Sequence, residues 1–270
     1  MRERVSVLVG RILPTNLIVK RPRAFTLLEL LVVMAILAVL MAILGSALPK
    51  ARQQAKSLAC LSNQRQIAMG IHAYTNDFHN HFPISQYTDY ANSAWVTWDT
   101  TTYFRGTTRS SRPGLIWQYV TGESVQQCPS YEGPSMTSGD PFTGYNYNTT
   151  YLGRGENEGE HDRMGEEPAL MSHVRRATSA AMIGDGGYAA GTNKFMRAPL
   201  DGGVAEGTVH AGAQSYRHQN RTNVAFIDGH CESRSAKFLR GQPTRQDCSK
   251  ILGWPKNGFL SADDRAYAHR

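Results

Sequence analysis

The hydrophobic pattern of the chain is dominated by one apolar run near its N-terminus. No polar side chain occurs over residues 30–45, and over residues 25–48 only Thr26, Glu29 and Ser46 interrupt the run. A helix of this length extends about 36 Å at about 1.5 Å per residue, which is enough to cross a hydrocarbon core of about 30 Å. The pattern therefore predicts a membrane-spanning helix at residues 25–48.

After the run, the pattern changes to a narrow apolar stripe with polar flanks. Pro49 follows the run directly and is predicted to kink or break the helix. Beyond it we predict a soluble continuation of the same helix over residues 49–78, ending near Asn76, with a sheet packed against the stripe. The stripe consists of Leu58, Leu61, Ala68, Ile71, Tyr74 and Phe78.

The remainder of the chain has the short apolar segments and turn residues of a β-rich domain. Its middle is rich in Thr, Ser, Tyr, Gly and Asn, which favours loops over a small sheet. Two later segments, 179–187 and 223–230, each run a short apolar strand into Asp and Gly. In the second, Asp228-Gly229 lies between two strand candidates and predicts a hairpin with a type I′ turn, which needs positive φ at both positions.

These patterns predict an α+β fold, with a long N-terminal helix packed on an antiparallel sheet that carries long loops. We assign an exported globular domain to residues 79–240 and a C-terminal tail to residues 241–270. Breaker sequences from Phe238 onward predict that this end of the chain is a poorly ordered appendage with one tether, at Cys248.

Composition and charge fit a globular body with an anchor. The chain has 270 residues, of which 41% are hydrophobic and 19% charged, so one or two domains are expected. Most of the net charge of +7 lies in residues 1–24, so it sets membrane topology and gives no indication of a nucleic-acid partner. The charged residues of that segment are Arg2, Glu3, Arg4, Arg11, Lys20, Arg21 and Arg23.

Glu29 is unusual, because a carboxylate near the start of a membrane helix is costly and needs a partner. Snorkelling or protonation would also accommodate it. The whole pattern, basic residues followed by a small residue, Phe-Thr-Leu-Leu-Glu and an apolar run, resembles the type III signal of type IV prepilins and type II secretion pseudopilins. The resemblance implies a leader at residues 1–24, cleavage between Ala24 and Phe25 by a membrane peptidase, and N-methylation of Phe25.

The same resemblance implies an assembly role for Glu29. It would be the fifth residue of the mature chain, placed to neutralise the new ammonium terminus of a neighbouring subunit within lipid. The family usually has Gly before the cut, where this chain has Ala24. Implied partners are the prepilin peptidase, other pilin or pseudopilin subunits and the bacterial inner membrane, with the N-terminus cytoplasmic and the single-pass chain's C-terminal domain periplasmic or extracellular.

A closer resemblance is carried by Leu-Pro-Lys-Ala-Arg, by the segment from Cys60 to Ile67, and by a His, nine residues, Asp-Gly tag at His218, Asp228 and Gly229. These residues resemble the prepilin-type processing-associated proteins. We interpret the tag as structural, with Asp228 capping the turn and His218 hydrogen-bonding across the sheet.

Two chemical interpretations of the tag remain open. His218 and Asp228 could serve a nucleophile at Ser215 or Cys231, but the chain has no nucleophile elbow or oxyanion loop, so we do not expect an enzyme. A metal site at His218, Asp228 and His230 is a weaker option, and we expect no metal site.

The four cysteines suggest disulfides, because an even count in an exported domain is typical of them, and four allow three pairings. We favour Cys60–Cys128, which would tie a central loop to the helix, and Cys231–Cys248, which would close a short C-terminal loop. No Cys-x-x-Cys pair occurs, which argues against a zinc ribbon.

Calcium is the one cofactor kept as an option, since some pseudopilins hold it. An acidic cluster offers oxygen ligands but lacks the spaced Asp pattern of a calcium loop, so a solvated loop is favoured. The cluster comprises Glu156, Glu158, Glu160, Asp162, Glu166 and Glu167.

The sequence thus favours a pilin-like subunit, a pseudopilin or minor pilin that assembles through its N-terminal helix into a pilus or pseudopilus. The size of the mature chain favours a minor subunit. The alternative is a single-span anchored module that binds a glycan or peptide through Trp95, Trp98 and tyrosines and does not polymerise.

Overall fold

The computed structural model describes residues 25–120, 122–131, 133, 144–155, 167–188, 192–200, 212–238 and 256–270. The leader, all of the acidic cluster except Glu167, and Cys248 lie outside the described residues. The chain divides into two compact units, with the boundary between Leu48 and Pro49.

Helix α1 runs without interruption from Leu27 to Asp77, with Pro49 inside it. The predicted end near Asn76 is confirmed to within one residue. The predicted break at Pro49 does not occur, because one proline deletes a single N–H from the ladder, and good helix formers on both sides continue it.

The first unit contains the apolar part of α1. Every residue from 25 to 56 is exposed. Among the described residues, α1 is the one helix long and apolar enough to cross a membrane. The predicted membrane-spanning character of this segment is therefore matched by a helical segment whose apolar side chains are not covered by any of the described residues.

The second unit begins with the soluble part of α1 and continues into a four-stranded antiparallel meander in the order β1-β2-β3-β4. This meander is the small sheet that the middle of the sequence predicts. Its strands are β1 (Gln86–Asp89), β2 (Ala94–Thr97), β3 (Thr100–Arg105) and β4 (Thr108–Pro113).

A five-stranded sheet forms the centre of the second unit, in the order β10-β9-β6-β5-β7. Its pairs are antiparallel except β5 with β7, which is parallel, so the predicted α+β fold is confirmed and the predicted antiparallel sheet carries one parallel edge strand. The strands are β5 (Tyr145–Asn148), β6 (Ala181–Asp185), β7 (Phe195–Met196), β9 (Thr222–Phe226) and β10 (Cys231–Arg234); β8 (Gln214–Ser215) belongs to a separate pair described below.

The five-stranded sheet is buried on both faces, as the alternation along β9 shows. Ala225 and Ile227 belong to a core cluster with Ile67 and Ile71 of α1. Val224, Phe226 and their neighbours belong to a second cluster. One face of the sheet therefore packs on α1, as predicted, and the other face is buried by a different part of the chain.

That second cover comes from residues 256–270, which corrects the prediction of a poorly ordered tail. Strand β11 (Asn257–Gly258) pairs with β8, and a 3-10 helix spans Asp264–Ala266. Phe259 and Tyr267 are fully buried in the second cluster. Of the breakers that suggested disorder, Asn257 and Gly258 form β11, and the Gly-Trp-Pro at 253–255 lies outside the described residues. Two more 3-10 helices occupy Glu123–Gln126 and Met171–His173.

The buried face of α1 is rotated relative to the predicted stripe. Leu58 is 57% exposed and Phe78 is 42% exposed. Ala68, Ile71 and Tyr74 are buried as expected, but they are joined by polar residues. The reason lies in the sheet beneath, which offers polar partners to that face. The buried residues of α1 are Ser57, Cys60, Gln64, Ile67, Ala68, Gly70, Ile71, Tyr74 and Thr75.

The hairpin predicted at Asp228-Gly229 is confirmed, since β9 and β10 pair antiparallel. Its turn is not type I′, because Gly229 has φ +85° but Asp228 does not have a positive φ. The Gly229 amide donates to the Phe226 carbonyl at 2.9 Å, and the Phe226 amide donates to the His230 carbonyl at 2.9 Å. This is a three-residue loop, in which glycine takes the left-handed position.

Candidate functional site

The start of α1 is closed by Thr26 and Glu29. The Thr26 amide and hydroxyl both donate to Glu29 Oε2 at 2.9 Å, and the Glu29 amide donates to Thr26 Oγ1 at 3.1 Å. This reciprocal arrangement is a capping box, which satisfies backbone groups that the first helical turn leaves open. Glu29 therefore has a local structural role in addition to the assembly role implied by resemblance.

The predicted processing junction lies immediately before this cap. Phe25 is 71% exposed, and Ala24 lies outside the described residues. The predicted roles of Ala24, Phe25 and Glu29 in cleavage, methylation and assembly remain predictions.

A second site lies inside the second unit, between α1 and the five-stranded sheet. Cys60, Cys128, Asp185 and His218 are all buried, and one side-chain ligand atom from each lies within 4.8 Å of the other three. Sequence reasoning singled out three of these residues and paired Cys60 with Cys128, but it did not bring His218 to the two cysteines. Asp185 was visible only as the acidic end of the first apolar strand segment.

Two of the four residues lie on regular elements that face each other. Cys60 is on the buried face of α1. Asp185 ends β6, two residues after Ile183, so its side chain lies on the same face as Ile183, which packs in the helix-side cluster. Packing the helix on the sheet brings this thiol and carboxylate together, and Cys60 Sγ donates to Asp185 Oδ1 at 3.2 Å.

Cys128 lies in the segment that follows the 3-10 helix Glu123–Gln126, and Gly144 leaves space for its side chain. A Cβ atom built on Gly144 would lie 2.7 Å from Cys128 Cβ, and Gly144 has φ +110°. Both the close approach and the backbone conformation therefore require glycine at this position.

His218 is presented by a tight turn between β8 and β9. His218 and Arg221 exchange backbone hydrogen bonds at 3.0 Å, and the two residues between them, Gln219 and Asn220, have φ of 53° and 62°. Positive φ at both central positions is what a type I′ turn requires. The turn type predicted for the Asp-Gly pair thus occurs here, where asparagine tolerates the conformation.

The imidazole of His218 meets two partners at one ring nitrogen. His218 Nε2 lies 3.2 Å from Asp185 Oδ2 and 3.5 Å from Cys128 Sγ. The other nitrogen, Nδ1, is buried and has no hydrogen-bond partner among the described residues. The predicted partner of His218, Asp228, instead pairs with His230 at 2.5 Å.

Amide groups surround the cluster and orient it. Gln64 Nε2 donates to Asp185 Oδ1 at 3.3 Å and to the Asn223 carbonyl at 3.1 Å. The Asn223 amide donates to Asp185 Oδ2 at 2.8 Å, and its side chain donates to the Ser57 carbonyl at 3.1 Å. These contacts explain why polar residues occupy the buried face of α1.

The charges of His218 and Asp185 stabilise each other. Burial alone lowers the pKa of His218, but hydrogen bonds to Asp185 and Cys128 outweigh it and raise that pKa to about 9. Burial alone raises the pKa of Asp185, whereas the hydrogen bond from His218 and the charge of Arg217 lower it below its usual value. The pair is therefore ionised at neutral pH.

The two thiols have opposite tendencies. Burial, together with Cys128 and Asp185, raises the pKa of Cys60 well above its usual value. Burial also raises the pKa of Cys128, but the hydrogen bond with Cys60, and then His218 and Arg217, bring it down to about 6. Cys128 is thus the group that carries thiolate character.

The predicted Cys60–Cys128 disulfide is not present, because both are free thiols in the structure. The two sulfur atoms are close, but each has a polar partner, Asp185 for Cys60 and His218 for Cys128. Cys231 is also a free thiol, and its predicted pairing with Cys248 lies outside the described residues.

Three other predictions concern the aromatic binding surface, the calcium cluster and the turn residue Asp228. Trp98 is buried and donates to the Lys194 carbonyl at 3.0 Å, so it offers no surface to a glycan or peptide. Five of the six residues considered for calcium lie outside the described residues. The structural role predicted for Asp228 fits its contacts, since Asp228 Oδ1 accepts from the His230 amide at 3.1 Å.

Comparison with known proteins identifies the N-terminal segment. The family described as the prokaryotic N-terminal methylation motif matches residues 19–45, so the chain carries a prepilin-type N-terminal signal. No curated protein and no solved structure matches the chain. The matched range includes Ala24, Phe25 and Glu29.

Proposed function

We propose that this chain is a membrane-anchored pilin-like subunit, a minor pilin or pseudopilin. In this proposal a prepilin peptidase cuts between Ala24 and Phe25 and methylates Phe25, and residues 25–48 then assemble with other subunits into a pilus or pseudopilus. The observation that carries the proposal is the coincidence of the methylation motif at residues 19–45 with the apolar part of α1, residues 27–48, which is exposed throughout.

The exposed helix needs an apolar environment before and after assembly. Burying one large apolar side chain is worth about 1.5–3 kcal/mol, so a helix with this many of them does not remain in water. Lipid would cover it in the membrane, and neighbouring helices would cover it in a filament. The same surface therefore serves both states, which is what an extractable filament subunit requires.

The charge distribution supports the topology of the proposal. The basic residues concentrated in residues 1–24 favour a cytoplasmic N-terminus in the inner membrane. The second unit would then be periplasmic or extracellular.

A non-enzymatic role is supported by the geometry of the buried cluster, whose thiol, imidazole and carboxylate are the groups of a catalytic triad. In a triad, histidine uses one ring nitrogen for the nucleophile and the other for the carboxylate. Here Cys128 and Asp185 both face Nε2 of His218. The cluster is also buried, so a substrate has no access to the thiol.

The first test is the intact mass and N-terminal sequence of the protein purified from membranes of a host with its prepilin peptidase. We expect a chain that begins with N-methylated Phe25. A chain that keeps residues 1–24 would contradict the processing step and favour the anchored binding module.

The assembly role of Glu29 can be separated from its capping role by three variants. Glu29→Gln keeps a capping side chain but loses the charge, Glu29→Leu loses both, and Thr26→Ala disrupts the capping box but keeps the charge. We expect at least a tenfold loss of helix-to-helix crosslinked ladders for both Glu29 variants. Thr26→Ala should keep the ladders.

Membrane insertion is the control, and all three variants should fractionate with the membrane. If Glu29→Gln assembles as well as wild type while Thr26→Ala does not, the carboxylate acts as a cap and terminus pairing is excluded.

A further inference from the structure

We propose that Cys60, Cys128, Asp185 and His218 form a buried zinc site that fastens α1 to the exported domain. The donor set, two sulfurs, one imidazole nitrogen and one carboxylate oxygen, is one that zinc prefers. This site goes beyond the proposed subunit role and does not depend on it.

The spacing of the donor atoms fits tetrahedral zinc. Zinc lies about 2.3 Å from sulfur and about 2.0–2.2 Å from nitrogen and oxygen, so tetrahedral ligand atoms are about 3.3–3.8 Å apart. Cys128 Sγ lies 3.5 Å from His218 Nε2, which in turn lies 3.2 Å from Asp185 Oδ2. Cys60 Sγ lies 3.2 Å from the other carboxylate oxygen, Asp185 Oδ1. With one ligand atom taken from each residue, all four lie within 4.8 Å of one another, so the longest separations would shorten when an ion binds.

The convergence on one nitrogen favours a metal over a hydrogen-bond network. One N–H of His218 points at a single acceptor, but both Asp185 Oδ2 and Cys128 Sγ lie within 3.5 Å of Nε2. A cation at the centre is contacted by lone pairs of all four groups at once. The four groups converge on one point, as metal ligands do, whereas the members of a proton relay would follow one another in series. Zinc would displace the protons that His218 and Cys60 carry without it.

The surroundings supply the further contacts that a zinc site uses. Gln64 Nε2 lies 3.7 Å from Cys60 Sγ and 3.3 Å from Asp185 Oδ1, and the Asn223 amide holds Asp185 Oδ2 at 2.8 Å. Such donors fix the orientation of ligands and are part of a functional metal site.

The local charge is also balanced by the protein. Two thiolates, one carboxylate and Zn²⁺ leave one negative charge in a buried space, which is costly without a partner. Arg217 supplies the opposite charge to both Asp185 and Cys128. It is held in place by the carbonyls of Gly144, at 3.1 Å, and Gly186. His218 and Arg217 also line a cleft at the surface, so the cluster lies beneath that cleft.

The proposed ion would join segments that are far apart in sequence. It would link α1, the segment before β5, the end of β6 and the turn before β9. In an exported protein it would also keep Cys60 and Cys128 from forming the disulfide that their proximity allows.

The test uses the full chain, purified in detergent without chelator from cells supplied with zinc. We expect about one zinc per chain by elemental mass spectrometry. Cys128→Ser and His218→Gln should each reduce it at least tenfold. Their matched controls, Cys231→Ser and His230→Gln, change a half-buried cysteine and an exposed histidine outside the cluster, and they should keep the zinc.

A measurement on wild type alone covers the case in which variants fail to fold. After zinc is replaced by Co²⁺, we expect strong visible absorption of tetrahedral cobalt with a thiolate charge-transfer band. The proposal is overturned if wild type holds less than a tenth of an equivalent of zinc and gives no such spectrum. It is also overturned if freshly isolated protein contains a Cys60–Cys128 disulfide, or if Cys128→Ser and His218→Gln retain zinc.

Discussion

Residues 27–48 and residues 49–77 belong to the same helix, yet they differ in which side chains they expose. The first part exposes apolar side chains, and the second part buries polar ones. The first part exposes leucine, isoleucine, valine and methionine on every side. The second part buries Ser57, Cys60 and Gln64 against the sheet. Exposed apolar side chains on a helix indicate that something other than this chain covers them. Buried polar side chains on a helix indicate a site inside the folded domain.

The difference also explains what each part requires of its surroundings. The first part needs only an apolar environment, so lipid and neighbouring helices can replace each other. The second part needs particular partners at fixed distances, because a buried polar group without one is costly. One helix thus combines an apolar segment that accepts any apolar environment with a buried polar face, formed by Ser57, Cys60 and Gln64, that needs particular partners.

The largest effect that separates the two parts is expected from truncating an isoleucine in each. Ile71 is 0% exposed, whereas Ile36 is 55% exposed. Ile71→Ala should lower the free energy of unfolding by ~2–5 kcal/mol, because it leaves a cavity in the core. Tryptophan fluorescence during chemical denaturation of the full chain in micelles measures this.

The matched variant Ile36→Ala should change the free energy of unfolding of the second unit by less than about 0.5 kcal/mol. Equal losses for the two variants would mean that the membrane segment is part of the same folding unit, and the contrast between the two parts of α1 would not hold.

A smaller effect is expected from removing a buried amide. Gln64 is 0% exposed and donates to Asp185 and to the Asn223 carbonyl. Gln64→Leu should cost ~1–3 kcal/mol, because it leaves those acceptors without this donor. Gln66→Leu is the control, since the Gln66 side chain donates within α1, to the Ser62 carbonyl at 3.4 Å. A Gln64→Leu variant as stable as Gln66→Leu would show that the buried polar face is dispensable.

The smallest effect is expected from a single hydroxyl. Ser57 Oγ accepts from Asn223 Nδ2 at 3.2 Å in a buried position, whereas Ser62 is exposed. Ser57→Ala should cost ~0.5–1.5 kcal/mol relative to Ser62→Ala, because both changes gain the same helix propensity and only one loses a buried contact. Thermal unfolding of both variants in parallel gives the difference in the free energy of unfolding. A difference of zero would show that the Ser57 hydroxyl does not stabilise the packing of α1 on the sheet.

The long helix, the antiparallel hairpin and the prepilin-type signal were predictable, because each depends on residues close in sequence. The type I′ turn was assigned to Asp228-Gly229 on the strength of a short motif. In the structure, Gln219-Asn220 adopts the positive φ values instead. Local propensity indicated where turns occur, but packing decided which type each one adopts.

The buried cluster was less predictable, although most of its members were singled out. Cys60 and Cys128 were paired on count, and His218 was paired with Asp228 on spacing. Asp185 is the residue that joins them, and its proximity depends on how β6 aligns with β9 and faces α1. Such alignment is a property of the folded sheet, and no spacing in the sequence encodes it.

The packing of residues 256–270 on the second sheet face has a consequence for the order of events during biogenesis. At about 5–20 residues per second, ribosomes make these residues on the order of ten seconds or more after the end of α1. The membrane anchor is therefore synthesised well before Phe259 and Tyr267, the two aromatic residues that cover the sheet. Until they are synthesised, the apolar side chains on that face of the sheet have no cover from this segment, so the sheet cannot complete its second core during the earlier part of synthesis.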